Sequence, residues 1–279
     1  NSNTCHLDTR WGLNGHCLFL EEKVFDPSGA VTYEFAVKHY NTNINMYHYT
    51  LVQDDGYVRG FVGNWEVGSG RIEWQSVYLP GAPNDVVQRM NEMQLAPGKR
   101  ETRTEISRAG QLEITAVTRA ERKGSAQTEL PATPDTPALA RLGRGGIWNE
   151  SESFTVDGQP KTIQMTGRAR WTSGGRALLY EGVINSKGKK EYFMWIKTFD
   201  REAKVYRFIH FHTDGPVDHF EGKWEEATKT ITWRSIQPPE EYLIRETFVS
   251  PTHRNWHIEA YDDQGKTYHT SDGESRLQE

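Results

Sequence analysis

The chain has 279 residues and a formal net charge of −5; 25% of its residues are charged and 35% hydrophobic, with both signs interspersed. No Lys/Arg stripe stands out, which argues against nucleic acid and anionic membranes as partners. No apolar run approaches the roughly 18 residues of a membrane-spanning helix. The sequence begins at Asn1 without a signal-like apolar region, as expected of a processed product or fragment, and its compartment is not legible.

From the N-terminus, "WGLNGHCLFLEE" (11–22) predicts a hairpin turning at Asn14-Gly15. That register sets Cys17 opposite Gly12 and Cys5 opposite Val24, too far apart for a disulfide, so two free thiols are expected. Turn signals follow at Pro27-Ser28-Gly29, Asp55-Gly56 and Gly68-Ser69-Gly70, separated by alternating segments rich in Tyr, Phe, Trp, Val and Thr. This is the pattern of an antiparallel meander. In "NDVVQRMNEMQLAPGK" (84–99), Val86, Met90 and Met93 fall at helical spacing, Asn84 or Asp85 can cap the start and Pro97-Gly98 the end. A short inserted helix is predicted there, packed on the barrel side or acting as a lid. Residues 121–146, rich in Pro, Ala and Gly, read as a linker. After it, "IWNESESFTVDGQPKTIQMTG" adds a strand with no counterpart earlier in the chain.

The strongest signal is an internal repeat. Residues 33–76 align with 192–235 without a gap, at a constant offset of 159. The pairs Tyr47/Tyr206, Asp55/Asp214, Gly56/Gly215, Phe61/Phe220, Gly63/Gly222, Trp65/Trp224 and Trp74/Trp233 are identical. Upstream, "RWGLNGHCLFLEE" (10–22) matches "RWTSGGRALLYEG" (170–182), and downstream "RET" recurs at 100–102 and 245–247. Two copies of one unit are therefore expected, the first over 1–120 and the second over 147–279, each closing toward a barrel because closure removes exposed edges.

Pairing Trp224 with Ile231 across "EATK" sets Gly222 opposite Trp233, and the first copy sets Gly63 opposite Trp74. An indole over a cross-strand glycine is a sound packing device, so Phe220, Gly222, Trp224, Ile231 and Trp233 are expected to face inward. A two-residue turn at Asp214-Gly215 adds Ile209 and Phe211 to that face. It pairs His210 with His219 on the outside, next to His212.

Candidate sites follow from these faces. Trp65, Trp74, Trp224 and Trp233 either fill two small barrels or line cavities for an apolar or aromatic ligand. His48, Thr50 and Arg207 are placed on the inner face as orienting polar groups, with Glu181 as a possible partner of Arg207. His210, His212 and His219 are candidate metal ligands, solvated histidines or a catalytic histidine, and the first copy carries Leu51, Gln53 and Gly60 in their places. The recurring Glu21/Glu181, Lys38/Lys197 and Arg10/Arg170 read as structural ion pairs near the barrel ends. No nucleophile elbow, phosphate loop or helix-borne zinc motif is present, and no cofactor is expected apart from a His-bound metal.

With "RWTSGGRALLYEG", "FDREAKVYRFIHFHTDG" and "EGKWEEATKTITWRS", the second copy resembles bacterial calycin-like domains of unknown function. The resemblance covers most of 147–273 and, more weakly, 5–120. It implies an all-β protein of two tandem up-and-down lipocalin-related barrels, the first carrying the helical insertion, and it brings no catalytic residues. The wider superfamily includes carriers of hydrophobic small molecules and a few enzymes, which leaves two expectations. One is binding of a small apolar or aromatic molecule. The other is a cyclase, isomerase or decarboxylase working in one lumen with His48 or Arg207. The two barrels are also expected to be able to pack on each other.

Overall fold

A computed structural model describes residues 4–66, 68–78, 85–97, 99–121, 133–186, 188–213, 217–236 and 241–278. The chain divides into two compact units, Asn1–Glu129 and Leu130–Glu279. Both are antiparallel, and in both the strands neighbour one another in chain order.

The first unit has nine strands: β1 Thr4–Gly12, β2 Cys17–Phe25, β3 Val31–Asn41, β4 Met46–Val52, β5 Val58–Glu66, β6 Arg71–Tyr78, β7 Val86–Ala96, β8 Lys99–Arg108 and β9 Gln111–Glu121. They form an open sheet with β1 and β9 at its edges. The second unit has ten: β10 Gly146–Val156, β11 Gln159–Trp171, β12 Ala177–Ser186, β13 Lys189–Asp200, β14 Val205–His212, β15 Val217–Glu225, β16 Thr230–Ser235, β17 Glu241–Ser250, β18 His253–Tyr261 and β19 Thr267–Leu277. Here β10 pairs with both β11 and β19 and closes the barrel. The extra strand expected after residue 146 is thus the closing strand. The first unit has no equivalent among the described residues, and closure of the first barrel, expected from the sequence, does not occur.

The predicted helix over 84–99 is instead strand β7. Gln88 and Met90 are its buried positions, a period of two, while Met93 is exposed. Neighbours on both sides, β6 and β8, satisfy its backbone, so pairing overrides the accidental helical spacing. Strand β7 is also the counterpart of β17, so the segment is shared by both copies. Glu92 lies opposite Ile72 as Glu246 lies opposite Ile231. The "RET" match is incidental, because the strand equivalent to β8 is β18.

Other sequence readings hold. Gly12 pairs with Cys17 and Cys5 with Val24, and both cysteines are free thiols. Burial and a hydrogen bond to Glu22 push the Cys5 thiol up to about 12. Gly63 lies opposite Trp74 and Gly222 opposite Trp233. A methyl group at Gly222 would sit 2.4 Å from the Trp233 ring, and at Gly63 2.7 Å from Trp74, so only glycine admits the indoles. Between the units, residues 122–132 lie outside the described residues. Beyond them Pro137–Ala140 forms one short helix, α1, whose Leu139, with Leu142 just after it, packs into the second unit's core. Thr136 caps it by accepting a hydrogen bond from the Leu139 amide at 3.2 Å.

The connection between β14 and β15 decides which face is inward. Phe211 pairs with Val217, and the ladder continues His210↔Asp218, Ile209↔His219, Phe208↔Phe220 and Tyr206↔Gly222. The two-residue turn expected at 214–215 lies outside the described residues; the pairings expected with it, His212 with Val217 and His210 with His219, are replaced by this register. A register one residue different exchanges the faces of a strand. Tyr206, Phe208, His210 and His212 therefore point inward, while Arg207, Ile209 and Phe211 point outward.

Candidate functional site

Inside the second barrel, an ionic layer crosses the interior at mid-height. Lys197 Nζ is 2.5 Å from Glu246 Oε2. Arg254 spans Glu246 and Glu150, each at 2.8 Å. Trp233 Nε1 donates to Glu246 at 3.0 Å, and Ser275 Oγ donates to Glu150 at 3.0 Å. All four charged side chains are buried, so the layer holds two cations and two carboxylates and is neutral. Aromatic rings enclose it: Lys197 Nζ lies 4.6 Å from the Trp195 ring centre, 5.0 Å from Phe208 and 5.2 Å from Trp233. Burial pulls the Lys197 ammonium down to about 8 against the opposing pull of Glu246. Burial tends to raise Glu246, but Lys197 and Arg254 outweigh it and hold the carboxyl below its usual range.

Lys197 is thus buried, and Lys38 half-buried, on the inward faces of their sheets, not in ion pairs near the barrel ends. In the first unit Lys38 contacts Glu92, with Arg100 at 3.6 Å from the same carboxylate. Lys38 Nζ lies 5.1 Å from Tyr49 and 5.3 Å from Trp74. Tyr49 and Trp74 stand where Phe208 and Trp233 stand. Arg100 lies opposite Gln94, two residues beyond Glu92, just as Arg254 lies opposite Phe248, two beyond Glu246. The repeat therefore extends to a Lys–Glu–Arg trio, two of whose members the sequence alignment missed.

On one side of the ionic layer, Trp148, Trp171 and Leu178 are buried together with Leu139 and Leu142. The pocket beside Leu142, Trp148, Trp195 and Arg254 has a volume of about 10 Å³, space for about one water. On the other side, the inward Phe208, Tyr242, Ile244, Ile184 and Trp256 are half-buried, as Phe199, Trp224 and Phe248 are near Leu139 and Leu142. They form an apolar, aromatic cup that solvent reaches. Its floor is the Lys197–Glu246–Arg254–Glu150 layer.

Polar groups stand on opposite walls of this cup. On one wall, Asp218 Oδ2 lies 3.2 Å from His212 Nε2 and 3.9 Å from His210 Nδ1. Burial works to raise the Asp218 carboxyl, but the two neighbouring imidazoles, His212 by a hydrogen bond, hold it far below the usual carboxylate range. Burial lowers His210, with His212 and Lys197 adding to that effect and Asp218 opposing it. On the other wall, burial raises the Glu152 carboxyl, with the nearby Ser271 hydroxyl opposing it.

The predicted site residues separate accordingly. Trp233 is fully buried and its indole N–H belongs to the ionic layer, while Trp224 is half-buried at the core's edge. Trp74 is buried beside Lys38, and Trp65 is 43% exposed. His210 and His212 stay together, but His219 faces the opposite side of the sheet, and Asp218 takes the place expected for it. Arg207 points outward and pairs with Asp200 at 3.0 Å and Glu221 at 2.9 Å; Glu181 is not its partner. His48 and Thr50 also lie on the outward face, because Tyr47 and Tyr49 are the inward residues of β4. His48 pairs across the sheet with His39, ring centres 5.0 Å apart, and burial lowers its basicity. A lumenal role for His48, Thr50 or Arg207 is therefore overturned.

No family model matches the chain, and no curated protein matches it. Among solved structures it is similar to the crystal structure of a protein of unknown function from the DUF3598 family of Nostoc punctiforme, 12% identical over 89% of each chain, with a TM-score of 0.31. That likeness says nothing about activity. Among the described residues, no helix is long and apolar enough to cross a membrane.

Proposed function

We propose that the second barrel binds a small aromatic or apolar molecule in the cup above its ionic layer. The observation that carries this reading is the group of inward-facing aromatic and aliphatic side chains above the layer that are not fully packed. Phe208, Trp256, Tyr242 and Ile244 face inward above the layer and keep part of their exposure, while Phe220, stacked on Phe208, packs them from the side. Exposed inward aromatics, with a few polar groups on the walls, are the ordinary composition of a small-ligand site. The satisfied charges of the layer make a polar but neutral floor, so the cup favours a ligand whose bulk is apolar.

Tryptophan emission of the 279-residue chain, titrated with aromatic carboxylates, phenols and fatty acids, tests this directly. Saturable quenching is expected for at least one class, weakened about tenfold or more by Ile244→Trp, which would fill the cup. Flat titrations across the whole panel, or a response that Ile244→Trp leaves untouched, would defeat the reading.

A further inference from the structure

We infer that His210, His212 and Asp218 form a binding site for a divalent transition-metal ion at the wall of the second barrel's cup. His210 and His212 are two residues apart on β14, so both imidazoles leave the same, inward face. Asp218 lies directly across from His210 on β15. The two imidazole rings are 4.4 Å apart, centre to centre, and one ligand atom from each of the three residues lies within 4.8 Å of the others. Ligands held about 2.0–2.2 Å from a tetrahedral ion are themselves roughly 3.3–3.5 Å apart. The observed separations of 3.2 Å and 3.9 Å from Asp218 Oδ2 already bracket that spacing.

Two nitrogens and one carboxylate oxygen suit zinc, cobalt(II) or iron(II) rather than the hard, oxygen-bound magnesium or calcium. The fold does not require this trio. Repeat-equivalent positions in the first unit are Leu51, Gln53 and Arg59, and that hairpin forms with the same register, Leu51 pairing with Arg59. His210 also has its rigid supports, with the rings of Phe193 and Phe208 at 6.0 Å and 6.1 Å.

Three protein ligands leave a coordination position for water or for an oxygen of a bound molecule. Resting on the proposed use of the cup, that oxygen belongs to the carboxylate or phenolate of an aromatic ligand lying against Phe193 and Phe208. The ion itself does not depend on that reading, since it can be measured with no organic ligand present.

The test uses the 279-residue chain, freed of metal with a chelator and titrated with cobalt(II), followed by competition with zinc. One equivalent per chain is expected, with the visible absorption of a low-symmetry cobalt site. Outer contacts to metal ligands alone are worth about 10–100-fold in affinity, so His212→Ala and Asp218→Asn should each weaken binding by at least about 100-fold. His212 is 44% exposed, which makes its loss compatible with folding, and unchanged melting of the variant confirms it. His257→Ala removes a different His–Asp pair, with Asp272 at 2.7 Å, and should leave binding intact. No stoichiometric cobalt binding, or binding that survives both ligand substitutions or disappears in His257→Ala, overturns the site. Metal binding without aromatic quenching would instead refute only the ligand reading, and quenching without metal binding only the ion.

Discussion

The two units place the same trio in two different settings. Lys38, Glu92 and Arg100 sit in an open nine-stranded sheet, and the Glu92 side chain keeps 21% of its exposure. Lys197, Glu246 and Arg254 sit in a closed ten-stranded barrel, where the Lys197 and Glu246 side chains each keep 5%. The closing strand β10 brings Glu150, the second carboxylate that neutralises Arg254. Closure and charge balance thus arrive together on one strand. The lesson is that the tenth strand converts a half-solvated ion pair into a buried, neutral layer, and only the unit that has it builds a cup with a dry floor.

The sharpest way to break this comparison is to remove the shared carboxylate from each unit. Glu246→Gln leaves Lys197 without its buried partner and should cost about 3–5 kcal/mol, read as a loss in the urea midpoint of the second unit. Glu92→Gln, with water at hand to solvate Lys38 and Arg100, should cost only about 1 kcal/mol. Equal losses would mean that closure does not govern the energetics of the trio.

The pH dependence separates the lysine from its partners. Lys197 titrates at about 8 when folded against 10.5 for an ordinary lysine, so the native state holds this proton less tightly. The cost of burying the ammonium is therefore present in full below pH 8 and is relieved as pH rises from 8 toward 10.5. Relative to Lys197→Met, which has no such proton, the parent should gain stability across that window, by at most about 3 kcal/mol. Parallel stability curves for parent and variant between pH 7.5 and 10.5 would show that the layer does not depress this lysine.

The glycine–indole contacts should behave alike in both units, because they are local. Gly222→Ala and Gly63→Ala both drive a methyl group against an indole held by its own strand, with a cost of about 1–3 kcal/mol each. A near-zero cost at Gly63 alone would show that the open sheet relaxes where the barrel does not.

These contrasts also show what the sequence could carry. Turn residues, alternation and the fixed offset of 159 were enough for the all-β repeat, the β15–β16 register and the Gly–Trp pairs, since each depends on neighbours a few residues apart. The face of β14 was not legible, because a one-residue difference in its pairing with β15 exchanges inside for outside. That single slip sent Arg207 to the lumen, put His219 with His210 and His212, and hid Asp218. The ionic layer was harder still. The loops before β7 and β17 differ in length, so Glu92 and Glu246 do not share the offset of the other pairs, and only their positions opposite Ile72 and Ile231 reveal them as equivalents.

The finest test of the comparison lies at one position on each last strand. Ser275 pairs with Arg254 and Ala120 with Arg100, so the two residues are equivalent. Where the closing strand supplies Glu150, the residue is a serine, fully buried and donating to that carboxylate. Where no such strand is present among the described residues, it is an alanine with nothing to donate. Ser275→Ala should remove one buried, charge-assisted hydrogen bond and cost about 1 kcal/mol, moderated because Arg254 still holds Glu150. Ala120→Ser, half-buried at an open edge, should change stability by no more than about 0.5 kcal/mol in either direction. A double substitution Ser275→Ala with Glu150→Gln that costs less than the sum of its parts would tie the serine to the carboxylate. Additive costs would instead mean that the hydroxyl serves the strand and not the layer, and that the two last strands differ for reasons unrelated to closure.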